Sequence, residues 1–143
     1  MPTIVLDSTV LVSAFLTANG AADAVIQRAR DGSVLVYASD AILEETQKVL
    51  AYSRLVQQYR YTPRDVQAFC DRVRAAVVLV SPLPPFPTIC RDPNDDMVLA
   101  CALAAEAPYL VTRDKDLLVL QQYEEVTMIT PEAFLAFLRA NPH

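Results

Sequence analysis

Imidazole is nearly missing from this chain: among 143 residues the only histidine is His143, the last one. That sets aside His-based catalysis and His-ligated metals. Carboxylates, hydroxyls and the basic side chains remain to do any chemistry. Cysteine is also scarce, and Cys70, Cys90 and Cys101 are odd in number without the close pairings of a zinc site. Cys70 shares an apolar helical stripe with Val66, Phe69 and Val73, and Cys101 lies inside an apolar helix, so both read as small core residues. No apolar run reaches the roughly 20 residues that span a bilayer. Val10–Leu16 is short, and Asp7 and Ser8 stand before it, which is unlike a signal peptide. The expectation is a cytosolic protein without a membrane partner. Internal repeats and low-complexity segments are absent.

What the chain does have is apolar material, 53% of its residues, with a mean hydropathy of +0.25. One domain over residues 1–143 with a substantial core is expected. The net charge of −5 counts against strong nucleic-acid binding overall, because phosphate contacts dominate that affinity. The distribution qualifies this. No acid falls between Glu45 and Asp65, while Lys48, Arg54, Arg60 and Arg64 give that stretch a charge of +4, interleaved with Tyr52, Tyr59 and Tyr61. Rings beside arginines suit single-stranded RNA. An ordinary solvated helix end with tyrosines half in the core is the plainer reading.

Short β-branched runs alternate with amphipathic segments. Thr3–Leu6, Ser33–Ala38, Val77–Val80, Tyr109–Thr112 and Val126–Ile129 read as strands. A helix through Val10, Leu11 and Phe15 ends near Asn19-Gly20, and a second, Ala21–Arg30, stops at Asp31-Gly32. Ser39 caps the next, while Thr62-Pro63, Asp92-Pro93 and Thr130-Pro131 show the cap-then-proline pattern of helix starts. Ser81–Pro87 holds four prolines in seven residues and reads as a rigid loop rather than a linker. This alternation predicts an α/β three-layer sandwich with a mainly parallel, roughly five-stranded sheet and helices on both faces.

Acids stand at the ends of these strands or on helices that follow them. A parallel sheet brings its carboxyl ends to one crevice, so acids far apart in sequence can meet there. Asp7 ends the first strand, although such a residue also caps the next helix in many proteins. At about 100° per residue, Glu45 falls beside Ile42 and Val49 on the rim of the buried stripe, whereas Glu44 projects to solvent. Asp92 caps the helix that starts at Pro93, and acids in its first turn suit the dipole. Asp95 is in register with Val98, Leu99 and Ala102 and looks inward, an expensive position unless something positive meets it. Asp96 sits to one side. Asp114 and Asp116 are two apart after the fourth strand and reach a metal from a loop or act as a capped turn. Clustered carboxylates persist best around a divalent cation, and Mg²⁺ and Mn²⁺ prefer oxygen ligands.

Four stretches carry a resemblance. They are Ile4–Leu11, Ser39 through Glu45 to Leu50, Arg91–Asp96 with Leu99–Ala102, and Val111-Thr112-Arg113-Asp114-Lys115-Asp116-Leu117-Leu118. In order and spacing the chain resembles the PIN-domain family, toxin-like branch, related to VapC-type ribonucleases. The resemblance implies that Asp7, Glu45, Asp95 and Asp114 form an acidic quartet binding Mg²⁺ or Mn²⁺, with Asp116 and Asp92 as auxiliary positions. It implies metal-dependent RNA cleavage, a small antitoxin partner and a homodimer. Glu45 would hold a second ion or orient the water, and Thr112 and Ser8 would donate to the carboxylates. A hydrolase using Asp7 as nucleophile lacks its usual Asp-x-Asp pattern, because residue 9 is Thr. A non-catalytic RNA-binding or assembly module retaining the fold is the other alternative.

Overall fold

The computed structural model describes residues 1–142; His143, on which the exclusion of imidazole chemistry rested, lies outside the described residues. The first half runs β1 (Thr3–Leu6), α1 (Ser8–Leu16), α2 (Ala21–Arg30), β2 (Leu35–Ala38), α3 (Asp40–Leu50), α4 (Ser53–Tyr59), α5 (Pro63–Ala76) and β3 (Val78–Leu79). The second half runs α6 (Pro93–Ala104), β4 (Tyr109–Val111), α7 (Lys115–Leu120), β5 (Gln122–Tyr123), β6 (Val126–Ile129) and α8 (Pro131–Ala140).

The strands lie in the order β3-β2-β1-β4-β6-β5. Every pairing is parallel except that of β5 with β6. The five parallel strands are those the sequence implies. The sixth, β5, is a two-residue edge strand with no room for a periodic signal. It arises because Gln121 and Glu124 take φ of 61° and 52°, which folds the chain back against β6.

Burial explains why the strands are short and continuously apolar. Ile4, Val5, Leu6, Leu110 and Val111 are all 0–1% exposed although successive side chains point to opposite faces. Both faces of the sheet's centre are therefore covered, as a parallel sheet requires. One of the covering helices is α6, which packs against β1, β2 and β4. Its Cys101 is fully buried, and Cys70 packs with Phe69 and Val73 of α5, so both thiols are core residues as expected.

Local chemistry sets the helix starts. Ser39 Oγ accepts from Ile42 N–H, and Thr62 with Asp65 forms a reciprocal capping box ahead of Pro63. Asp92 and Thr130 cap α6 and α8, each followed by proline. The first helix stops at Leu16, short of the expected Asn19-Gly20, because Thr17 leaves helical geometry and Asn19 takes φ 65°. The proline-rich stretch packs on the domain through Leu83 and Phe86, and Phe86 meets Tyr123 at 5.7 Å between ring centres. No single helix among the described residues is long and apolar enough to cross a membrane.

Candidate functional site

The chain leaves β1 in two directions. It goes first to β2 and β3 on one side, then crosses to β4 and β6 on the other. Such a reversal opens a crevice beyond the carboxyl ends of the strands beside it. A cleft of about 280 Å³ lies there, lined by Asp7, Glu45, Asp92, Asp95 and Asp114 together with Ser8, Thr9 and Asn94. The four widely separated acids share it. No lysine or arginine is among its lining residues.

Asp7 is 2% exposed and does two jobs. Its Oδ1 accepts from Val10 N–H at 3.2 Å, capping α1, and from the Thr9 hydroxyl at 2.6 Å. Its Oδ2 accepts from the Thr112 hydroxyl at 2.5 Å. Helix capping and site formation are thus the same act here. Each of the two threonines is a bridge: Thr112 Oγ1 also accepts from Asp114 N–H at 3.0 Å, and Thr9 Oγ1 from Arg113 N–H at 2.9 Å. Both hydroxyls link Asp7 to the β4–α7 turn. The expected donor Ser8 lines the cleft, but the bond to Asp7 comes from Thr9, one position further along the helix.

Asp95 faces inward from the first turn of α6 and is 6% exposed. One carboxylate oxygen from each of Asp95, Asp114 and Asp116 lies within 4.8 Å of the others. Asp114 caps α7 by accepting from Asp116 N–H, so the tight turn itself places these two acids together. Asp116 is exposed and stands 3.9 Å from Arg91. Glu45 lines the cleft from α3, and its Oε2 accepts from Asn94 Nδ2 at 3.3 Å, while Glu44 is exposed. Asp92 caps α6 through Asn94 N–H. Asp96 turns aside, and its carboxylate accepts from Ile89 and Cys90 N–H, fastening the end of the proline-rich stretch.

Electrostatics follow from this crowding. Burial pushes the Asp7 carboxyl up to about 6, against the pull of its three hydrogen bonds. Burial, then the charge of Asp114, pushes Asp95 up to about 7. Carboxylates held apart from any counter-cation are costly to ionise. The donor set is all oxygen and fits a hard divalent cation. The acidic cluster can hold one.

The basic stretch does not join the cleft. Arg54, Arg60 and Arg64 are exposed on α4, at its end and at the start of α5. Tyr61 is structural: it is 9% exposed, donates to Leu50 O at 2.7 Å and meets Phe15 edge-on. Tyr52 and Tyr59 are 46% and 44% exposed. Sequence reasoning missed Thr9, Asn94 and Arg113. A small polar residue two after a strand-end Asp was the one signal available for Thr9; nothing local pointed to the others.

A carboxylate-lined crevice at the reversal point of a parallel sheet defines the class: an α/β protein with an acidic cleft. The family model of the PIN domain matches residues 3–116, from β1 into α7, and the chain belongs to that family. In structure it is similar to VapBC2 from Rickettsia felis bound to a DNA fragment from their promoter, with 14% identity and a TM-score of 0.62 over 90% of this chain and 98% of that one. It is also similar to PAE2754 from Pyrobaculum aerophilum, with 16% identity and a TM-score of 0.62 over 98% of this chain and 91% of that one. At such identities the likeness is one of fold. No curated protein matches the sequence significantly.

Proposed function

We propose that this chain is a metal-dependent endoribonuclease, the toxin of a toxin–antitoxin pair, built as a single domain over residues 1–143. The observation that carries the reading is the meeting of Asp7, Glu45, Asp95 and Asp114 in one cleft whose lining has no basic side chain. PIN domains are generally nucleases, which supports the same chemistry. A core running from Ile4 to Leu138 supports the single domain.

Asp7, Asp95, Asp114 and Asp116 would hold Mg²⁺ or Mn²⁺ in this reading, with Glu45 lining the same cleft. One oxygen from each of Asp95, Asp114 and Asp116 lies within 4.8 Å of the others. When bound, the cation supplies polarisation of a phosphoryl oxygen and a lowered pKa for water. Asp7 has committed both oxygens to hydroxyl or backbone donors, so its orientation is set before substrate arrives. Glu45, steadied by Asn94, takes the proton from the attacking water as general base. Thr9 and Thr112 hold Asp7 and the Asp114 turn in register. Arg54, Arg60 and Arg64 are exposed and supply sequence-independent contacts to the phosphates of RNA. The protein acts in the cytoplasm as a homodimer restrained by a small antitoxin, a partnership supported by the fold shared with VapBC2.

The test is cleavage of single-stranded RNA by the purified protein. Activity is expected with Mg²⁺ or Mn²⁺, is lost in EDTA, and falls by orders of magnitude in Asp7→Asn and Asp95→Asn. Cleavage that survives both substitutions would overturn the proposal. Absence of cleavage in wild type with metal would favour the non-catalytic RNA-binding module. Co-purification with a small neighbouring open reading frame tests the antitoxin.

A further inference from the structure

Arg113 stands in the turn between Thr112 and Asp114, yet its side chain does not line the cleft. Its backbone N–H donates to Thr9 Oγ1 at 2.9 Å. Its Nε donates to Ser13 Oγ at 3.0 Å, and Nη1 and Nη2 donate to Glu132 Oε1 and Oε2 at 3.1 and 2.8 Å. One residue therefore ties the β4–α7 turn to α1 and to the first turn of α8. The geometry points to Arg113 and Glu132 as positioning residues, a fork-and-carboxylate clamp that sets Asp114, and through Thr9 also Asp7, for the cation. The inference rests on the metal-site reading above.

Three observations carry it. The guanidinium is engaged on both sides, by Ser13 and by Glu132, through all three of its nitrogens. A continuous chain then runs from Arg113 N–H to Thr9 Oγ1, and from that hydroxyl to Asp7 Oδ1 at 2.6 Å. Movement of the turn is thus felt at both acids, one directly bonded in sequence and one through a single hydroxyl. Finally, the two parallel N–H···O bonds need a planar fork meeting a carboxylate, an arrangement that fixes direction as well as distance. The Glu132 carboxyl is held below its usual range, chiefly by the Arg113 hydrogen bonds. Glu132 lies beyond the stretch 3–116 that matches the family, so this support comes from the remainder of the chain.

Partners that orient a ligand typically change metal affinity by about 10–100-fold when removed, and one bond further out about three- to tenfold is expected. The experiment titrates Mn²⁺ into wild type, Arg113→Met, Glu132→Gln and the double variant, reading free Mn²⁺ by electron paramagnetic resonance. Melting in EDTA is measured alongside. Glu132→Gln keeps size and the helix start, so it guards against a variant that merely misfolds. Both single variants are expected to weaken Mn²⁺ binding, Arg113→Met at least as much as Glu132→Gln because it also loses the Ser13 bond. The double is expected to be no worse than Arg113→Met, because the Arg113–Glu132 contact is already broken there. A Kd unchanged within about twofold while melting in EDTA drops would show a purely structural strut and overturn the clamp. Wild type that takes up no Mn²⁺ overturns the metal site itself, and the clamp with it.

Discussion

Lowering the pH should stabilise this protein when metal is absent, through the buried carboxyls of Asp7 and Asp95. The Asp7 carboxyl moves from an ordinary 3.8 to about 6 on folding because burial penalises the charge. A group whose folded pKa is raised binds its proton more tightly in the native state. Its contribution is full below the unfolded value and is lost as pH rises through the folded one. The rise corresponds to about 3 kcal/mol, or about 10 °C in Tm for a domain of this size. Asp95, pushed to about 7 by burial and by the charge of Asp114, adds in the same direction over the same window. Asp31, Asp65, Asp96 and Glu132 are held below their usual values, so they stay ionised above pH 5 and contribute a constant term there. The informative window is pH 5 to 8. Wild type and Asp7→Asn are unfolded with urea in EDTA across it. The amide keeps an oxygen for Thr9 and Val10 while its nitrogen meets the Thr112 hydroxyl, so the cap survives. Wild type should lose stability from pH 5 to about pH 7, and Asp7→Asn should lose about 1.4 kcal/mol less over that span, since the other half of the Asp7 contribution is already gone at pH 5. With Mn²⁺ present the trend should reverse, because ionised ligands bind metal best. Equal losses in the two proteins, or a wild type that gains stability toward pH 8 in EDTA, would refute the reasoning.

Asp95→Asn should melt at or above wild type in EDTA because one repelling charge is gone, yet gain less from Mn²⁺ by mass action; an equal Mn²⁺ gain would remove Asp95 from the ligand set. Thr112→Val takes a donor from Asp7 and an acceptor from Asp114 N–H at a fully buried position, and should cost about 1–3 kcal/mol in urea unfolding. A loss under half of the lower figure would mean that water replaces the hydroxyl. Tyr61→Phe should cost about 1 kcal/mol by losing its bond to Leu50 O and leave RNA affinity unchanged; weaker RNA binding would restore a stacking role for that ring.

Much of the architecture was legible because it is written locally. The cap-then-proline junctions at Thr62, Asp92 and Thr130 start helices where they stand. The inward register of Asp95 with Val98, Leu99 and Ala102 also held, since all four are buried. The parts that escaped are too short or too long in range. The seven residues of α4 and six of α7 carry little periodicity, and Arg60 ends α4 with a φ of 56° that no glycine announces. The bonds that bind the cleft together span 104 and 105 residues, between Thr9 and Arg113 and between Asp7 and Thr112. They depend on β1 lying beside β4, a neighbourhood the parallel α/β pattern does lead one to expect and the structure has. Which side chains then meet is set by packing that no local pattern specifies. The choice of Thr9 over Ser8 as donor turns on one helical step of about 100°, and Arg113's reach to Glu132 on how α8 packs.

The pairing of Leu6 with Val111 has a consequence in time. β1 leaves the ribosome well before its neighbour β4, which is made about a hundred residues later. Until Tyr109–Val111 emerges, Ile4, Val5 and Leu6 border an open sheet edge, with half their final ladder missing. Closing so long a loop is also entropically slow. The nascent chain is therefore adhesive before it is complete, and it lacks Thr112 and Asp114 throughout that interval. Stickiness comes early and the acidic cleft comes last. A ribosome-bound chain halted near residue 108 should accordingly bind chaperones through its first strand and take up no Mn²⁺, which pulse-labelled stalled complexes would show directly.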